Sequence, residues 1–171
     1  MSQSNIGNSK IEFGRVKIVS GGQSGVDRAA LDWAIQNDLP HGGWCPKGRT
    51  AEDGRINTRY ALRETDSGGY RQRTRQNVID SDGTLILNIG ELSDGSLVTL
   101  CFAERFGKPH RVIRLDSENE LESVRRVIEW IGAYRIGVLN IAGPRESKRP
   151  GVYRMALAFL GHVICRNWDL I

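Results

Sequence analysis

Long apolar runs are missing from this sequence. No stretch approaches the roughly 18 consecutive apolar residues of a membrane-crossing helix, and the opening MSQSNIGNSK lacks the apolar core of a secretory signal. The expectation is a cytoplasmic protein with no membrane contact. Cysteine is scarce: Cys45, Cys101 and Cys165 are odd in number and far apart, which excludes a disulfide framework and zinc-type pair spacing. Each is expected to be a buried thiol. The histidines His41, His110 and His162 show no metal-ligand spacing and no neighbouring nucleophile, so no metal site is expected and each reads as structural. Repeats, low-complexity tracts and interdomain linkers are also absent. At 171 residues the chain can close one core without staples, so residues 1–171 read as a single domain, with residues 1–10 expected to be disordered.

A large excess of one charge is lacking too: 24 Lys and Arg face 20 Asp and Glu, a net +4. The surplus is concentrated, however. Between Lys47 and Arg75 eight basic residues (Lys47, Arg49, Arg55, Arg59, Arg63, Arg71, Arg73, Arg75) stand against four acidic ones (Glu52, Asp53, Glu64, Asp66), a difference equal to the whole net charge. Only Tyr60 and Tyr70 are interleaved with them, too few for a base-stacking platform, so nucleic acid is not the expected partner.

What is present is an alternation of periods. Arg15–Ser20 is a β-branched strand ending in Gly21 and Gly22, and from Gly25 apolar residues recur at three and four residue spacing through Ala34, predicting a helix to about Asn37. A small strand is expected around Trp44 and Cys45. Residues 46–70 show no period and read as a long irregular loop, the kind of segment that usually binds or covers a ligand, although a disordered insert fits the composition as well. Then come a helix over Arg71–Ile79, strand Thr84–Asn88, helix Gly95–Phe106, strand Arg111–Leu115, helix Glu118–Ile131, strand Gly137–Ala142, and a helix from Pro150 through Leu160. Strands separated by helices need crossover connections, which predicts a three-layer Rossmann-like α/β fold: a mainly parallel sheet with helices on both faces.

The candidate chemistry lies where strands give way to helices. In IVSGGQSGVDRAALDWA a buried strand passes through a glycine turn directly into a helix, and helix amino ends offer unpaired N–H groups and partial positive charge. Gly21, Gly22, Gln23, Ser24 and Gly25 are the expected phosphate cradle, with Arg28 one turn beyond; a tight strand-to-helix turn is the plainer reading. The spacing is neither the dinucleotide GxGxxG nor the P-loop pattern, so neither NAD nor Mg-ATP is implied. A second turn presents Gly95, Ser96 and Thr99 either to the same ligand or, with Asp94, to capping. The two turns are expected to lie on adjacent strands facing one crevice. A third loop, AGPRES, adds Arg145 and Ser147 with less weight. From the basic segment Lys47, Arg49 and Arg73, beside Thr74, suit a polyanionic ligand, as Arg71 and Arg75 on one helix face do; a solvated basic face remains the alternative. Among carboxylates, Asp27, Asp80, Asp82 and Glu104 lie near loop or helix starts and nothing selects a catalytic one.

The blocks SGGQSGVDRAALDWA, GGWCPKGRTAEDG, YRQRTRQNVIDSDGTLIL and LNIAGPRES, in this order, resemble the molybdenum cofactor carrier family, Rossmann-like proteins related to the lonely-guy phosphoribohydrolases. The resemblance spans nearly the whole chain. It implies a homo-oligomer, dimer or tetramer, and a phosphorylated or nucleotide-like ligand, either the molybdenum cofactor (molybdopterin) or a nucleotide. In the third block Arg73, Thr74, Asn77 and Asp82 are the expected contacts. The phosphoribohydrolases carry PGGxGTxxE at the second turn, and its glutamate assists hydrolysis; the segment here is LSDGSLVT, with Thr99 in that place. The expectation is therefore a non-catalytic carrier of a phosphorylated small molecule. The alternative is a nucleotide or sugar-phosphate hydrolase using Glu104, Asp80 or Asp82 as base.

Overall fold

The computed structural model describes residues 15–116 and 119–169, with side chains through residue 165; the expectation for residues 1–10 lies outside them, as does the predicted helix start at Glu118. Five strands form the main sheet: β1 (Lys17–Val19), β2 (His41–Gly42), β7 (Gly83–Asn88), β8 (His110–Arg114) and β9 (Val138–Ala142), in the order β2-β1-β9-β7-β8 and all parallel. Four helices lie between them, α1 (Val26–Gln36), α2 (Tyr70–Ile79), α3 (Asp94–Arg105) and α4 (Glu120–Ala133), and α5 (Val152–Asp169) follows β9. The result is the three-layer Rossmann-like α/β fold.

The two layers have different cores. On one face α1, α4 and α5 pack together through Ala30, Trp33, Val127, Ile131 and Phe159 against Ile18, Leu85, Leu87, Leu139 and Ile141 of the sheet. On the other, α2 and α3 meet through Val78, Phe102 and Ala103. Arg71 and Arg75 do share a face of α2, but their guanidinium groups lie over the rings of Phe102 and Phe106, at 5.1 and 5.3 Å. They shield the α2–α3 contact, and this turns Arg73, two residues away, to the opposite side of the helix.

Three expectations are corrected here. First, the two glycine-bearing turns do not sit on adjacent strands: β9 lies between β1 and β7, so the loop given least weight, after Ala142, is the central one. Sequence order does not fix sheet order when every crossover is of similar length. Second, residues 46–70 are not structureless. They contain a hairpin of β4 (Thr50–Ala51) and β5 (Gly54–Arg55), and β6 (Arg63–Glu64) pairs in parallel with β3 (Trp44–Cys45). Strands of two residues have no period to detect. The segment has a core of its own, Leu31, Cys45, Ile56 and Tyr60 with Leu62. Its hub is Arg49, which is buried and donates to the carbonyls of Ile56, Leu62, Asn57 and Tyr60. Arg49 is thus a structural staple and no phosphate ligand. Arg49→Met leaves four carbonyls without their donor; a loss of about 3 kcal/mol in urea unfolding and rapid proteolysis within residues 46–64 are expected.

Third, only Cys45 is a buried thiol, and burial pushes its pKa up; Cys101 and Cys165 are exposed on the outer faces of α3 and α5. A further tie joins the loop to the helices. Asp32 of α1 accepts from Tyr60 Oη at 2.7 Å, Arg59 Nη2 at 2.6 Å and Tyr153 Oη of α5 at 2.8 Å. Burial and the Asp32 carboxylate push Tyr153 up to about 12, so this phenol stays a donor at any physiological pH. Among the described residues no helix is long and apolar enough to cross a membrane.

Candidate functional site

At the carboxyl ends of β1, β9 and β7, where the chain leaves the sheet in opposite directions, the three following loops and α2 enclose a cleft of about 200 Å³. Crevices at this point of a parallel sheet are where such folds bind ligands. One wall holds Gln23, Asp27, Tyr70, Arg73 and Thr74; the other holds the amino end of α3 with Gly95, Ser96 and Thr99; Gly143, Pro144, Arg145 and Lys148 close the base between them.

Arg73 dominates the first wall. Its side chain is 12% exposed and its Nη1 lies 3.1 Å from Oδ2 of Asp27, itself 3% exposed. Burial raises the Asp27 pKa; the Arg73 charge and the Gln23 N–H oppose that without cancelling it. The guanidinium lies on Gly21 so closely that a Cβ there would fall 1.9 Å from Nη1. Gly21 is thus a glycine because arginine rests on it. Arg73 Nε lies against Gly21, buried and with no hydrogen-bond partner.

Two more cleft residues have donors that no protein group accepts from. Gln23 is 7% exposed; its Oε1 accepts from the N–H of Ser24 at 3.0 Å and of Glu52 at 2.9 Å, which fixes the amide and leaves its NH₂ without a protein acceptor. Ser96 is 3% exposed in the cleft wall and its hydroxyl has no hydrogen bond among the described residues. No side chain caps α3 by a hydrogen bond, and its amino end, with Gly95 surrounded by open space, lines the cleft. Asp94, which starts α3 in the left-handed region at φ 45°, turns its carboxylate to Lys148 Nζ, 3.4 Å away.

The remaining residues of the glycine turn hold loops together. Val26 N–H donates to Pro144 O and Gln23 N–H to Asp27, so part of the expected cradle is already satisfied from within. Gly22, at φ 77°, points its Cα hydrogen toward Leu62 and Ile56, and Gly25, at φ 78°, toward the Pro144 carbonyl, where a Cβ would lie 2.4 Å away. Both are required by loop contact, not by phosphate approach. Ser24 Oγ bonds Glu52 and accepts from Glu146 N–H. Glu52 is the knot: from the β4–β5 hairpin it takes Ser24 Oγ, Ser147 Oγ and Ser147 N–H, with Arg145 Nε at 3.5 Å.

Although burial alone pushes the Glu52 pKa up, the hydrogen bonds from Ser147 and Ser24 outweigh it and hold the group below its ordinary 4.5. A carboxylate with a lowered folded pKa stabilises the fold above its unfolded value, and that contribution is lost as pH falls through the folded one. Unfolding measured from pH 6 down to pH 3 is expected to show this loss in the wild type and a smaller slope in Glu52→Gln.

Of the other expected contacts, Thr74, Thr99 and Arg145 do line the cleft. The rest are elsewhere. Arg28 holds the Gly22 carbonyl and Asp53; Lys47 is exposed on the outer loop. Asn77 bonds both the N–H and the carbonyl of Trp44. Asp82 accepts from the N–H groups of Gly137 and Val138 at the opposite, amino edge of the sheet. Of the candidate bases, Asp80 is held by Trp44 Nε1 and Gln76, and Glu104 lines a separate depression with Lys108 and His110. Sequence reasoning missed Lys148, Tyr70 and Glu52. Among the described residues no group of three or more His, Cys, Asp or Glu is placed to hold a metal ion.

A Rossmann-like domain with a cleft at its strand ends, lined by Arg73, Gln23, Asp27 and the amino end of α3, is the class this geometry defines. Within it, the chain belongs to the circularly permutated YpsA SLOG family, whose pattern matches residues 18–164. A solved structure of a "putative molybdenum carrier protein" from Syntrophus aciditrophicus is similar, with a TM-score of 0.86 and 46% identity over 88% of this chain and 95% of that one. No curated protein matches. Circular permutation also bears on the PGGxGTxxE comparison: a motif matched by order along the chain loses its anchor when that order is permuted. The carboxylate in the first turn of the helix behind the first glycine turn is Asp27.

Proposed function

We propose that this protein binds a phosphate-bearing small molecule in the cleft between α1, α2 and α3, and that it acts as a carrier, with the molybdenum cofactor as the candidate cargo. One observation carries the reading: Arg73, Gln23 and Ser96 line one cleft beside a helix end that no side chain caps, and each keeps N–H or O–H groups with no protein acceptor among the described residues. A phosphate supplies acceptors on every oxygen and suits both the guanidinium and the helix dipole. The similar Syntrophus protein is named for carrying molybdenum; the molybdenum cofactor would bring that metal with a terminal phosphate that fits this donor set. Among the described residues no metal-ligand cluster stands beside the cleft, so in this reading the grip falls on phosphate and any metal keeps the cargo's own ligands. A nucleotide would satisfy the same donors.

A second reading, hydrolysis of a nucleotide or sugar phosphate, is favoured by Asp27 alone, a buried carboxylate in the cleft with a raised pKa. Glu104, Asp80 and Asp82 are not among the cleft-lining residues. Calorimetric titration with ribose 5-phosphate tests the binding reading: saturable 1:1 binding is expected in the wild type, falling at least tenfold in Arg73→Lys, which keeps the charge beside Asp27 but removes the guanidinium Nε. Release of ribose or free base during the titration would favour the hydrolase.

A further inference from the structure

We propose that the cleft takes up its phosphate together with one proton from solvent, which settles on Asp27, so that affinity for the cargo falls as the medium becomes more alkaline. The inference rests on the phosphate reading above and concerns how that site is loaded and emptied.

Among the described residues, the three cations that line the cleft already face carboxylates: Arg73 faces Asp27 at 3.1 Å, Arg145 faces Glu52 at 3.5 Å and Lys148 faces Asp94 at 3.4 Å. A phosphate dianion that meets these cations therefore competes with an acid at each one. Two of the three acids tolerate that with their charge intact. Asp94 is 63% exposed, so water takes the place of Lys148. Glu52 keeps the Ser24 and Ser147 hydroxyls and the Ser147 N–H when Arg145 turns away. Asp27 is buried and has no such recourse.

The groups around Asp27 decide where the proton goes. Arg73 reaches it from α2, the Gln23 N–H at 3.3 Å from the glycine turn, and the Ser20 hydroxyl from the end of β1. Arg28 acts from α1 itself, but its guanidinium is held by the Gly22 carbonyl and Asp53. From α5, Tyr153 is turned to Asp32 instead. Across the cleft stand Arg145 and Lys148 after β9 and Asp94 at the start of α3, with Tyr70 beside Arg73. Burial already raises the Asp27 pKa, and the Arg73 charge is the strongest influence opposing it. A phosphate on the same guanidinium shares that charge and brings negative charge of its own beside a buried carboxylate, and like charges on one buried site do not both persist. The phosphate has the Gln23 amide, the Ser96 hydroxyl and the α3 end to hold its charge, so the proton goes to Asp27, which then changes from acceptor to donor. Its pKa is thus higher in the loaded protein than in the empty one. Binding takes up the proton between those two values, and affinity falls as pH rises through that window, by at most about tenfold per pH unit for one proton.

The test is calorimetric titration with ribose 5-phosphate from pH 7 to pH 9, where the ester is a dianion because its second ionisation lies near about 6, with each pH run in a pair of buffers of different ionisation enthalpy. In the wild type the heats are expected to differ between the buffers by an uptake approaching one proton, and the affinity to fall with pH by up to about tenfold per unit. Asp27→Asn keeps the shape of the side chain and removes its charge; it is expected to bind without proton uptake, with an affinity that stays level across the range and exceeds that of the wild type at pH 9. Phosphorus NMR of the ester bound to the wild type is expected to keep the shift of the dianion. Equal heats in the paired buffers with a level wild-type affinity overturn the proposal while leaving the phosphate site standing, as does uptake that persists in Asp27→Asn or a bound ester with the shift of the monoanion. The wild-type heats and NMR need no variant, so they decide the matter even if Asp27→Asn fails to fold. No binding at any pH overturns both readings.

Discussion

Arg73→Met is expected to lower folding stability by about 3–5 kcal/mol at neutral pH, the range for removing one partner of a buried ion pair. The methionine fills the space over Gly21 but leaves the Asp27 carboxylate, 3% exposed, without its cation. The pH dependence identifies the cause. Burial already raises the Asp27 pKa above its ordinary 3.8, and the Arg73 charge is the strongest influence opposing that. A carboxyl with a raised folded pKa contributes stability that is fully present below its unfolded value and lost as pH rises through the folded one. Removing Arg73 raises the folded value further and stretches the loss to higher pH. Urea unfolding is therefore expected to show the variant close to the wild type near pH 4 and far below it at pH 7, and Asp27→Asn combined with Arg73→Met to recover most of the deficit. A deficit independent of pH would mean that packing, not charge, was lost.

Gly143→Ala is expected to be as damaging by a different route. A Cβ there would lie 2.3 Å from the Leu87 carbonyl and 2.5 Å from Val26 Cγ2, so the end of β9 would have to move away from both β7 and α1. Neither neighbour is a flexible chain end. The cost is expected to reach about 3 kcal/mol, and the Pro144 carbonyl that receives the first N–H of α1 would shift with it. Gly161 in α5 has open space around its Cα; Gly161→Ala is the matched control, expected to gain about 0.5–1 kcal/mol from helix propensity. Thermal unfolding of the two variants side by side separates steric crowding from any general effect of losing a glycine.

The fold was largely legible in the sequence because its longer elements are periodic. The strand over Gly83–Asn88 and the helices over Val26–Gln36 and Asp94–Arg105 carry enough residues for pattern to outweigh noise. Sheet order and the two-residue strands were not legible, since both are set by contacts between distant segments. At the candidate site, pattern reasoning pointed to the carboxyl edge of the sheet, and Gln23, Arg73, Ser96 and Arg145 line the cleft there, because a glycine turn and a row of arginines are local signals. It could not separate Arg73, whose Nε lacks an acceptor, from Arg49, whose guanidinium is consumed by four carbonyls. The two residues have the same chemistry and differ only in what folds around them. For the same reason Gly22 looked like part of a phosphate cradle when its φ of 77° and its contact with Leu62 serve the loop. Glu52 carried no sequence signal at all: its role as the knot between the first and third loops exists only once β4 and β5 form a hairpin.

The most direct test is mass spectrometry of the small molecule that accompanies the natively purified protein, with phosphorus and molybdenum analysis of the same sample and of Arg73→Lys. The account predicts a phosphate-bearing compound held near one per chain by the wild type and depleted in the variant, with molybdenum and a pterin present if the cargo is the molybdenum cofactor. A compound without phosphate, or equal phosphorus in wild type and variant, would contradict it.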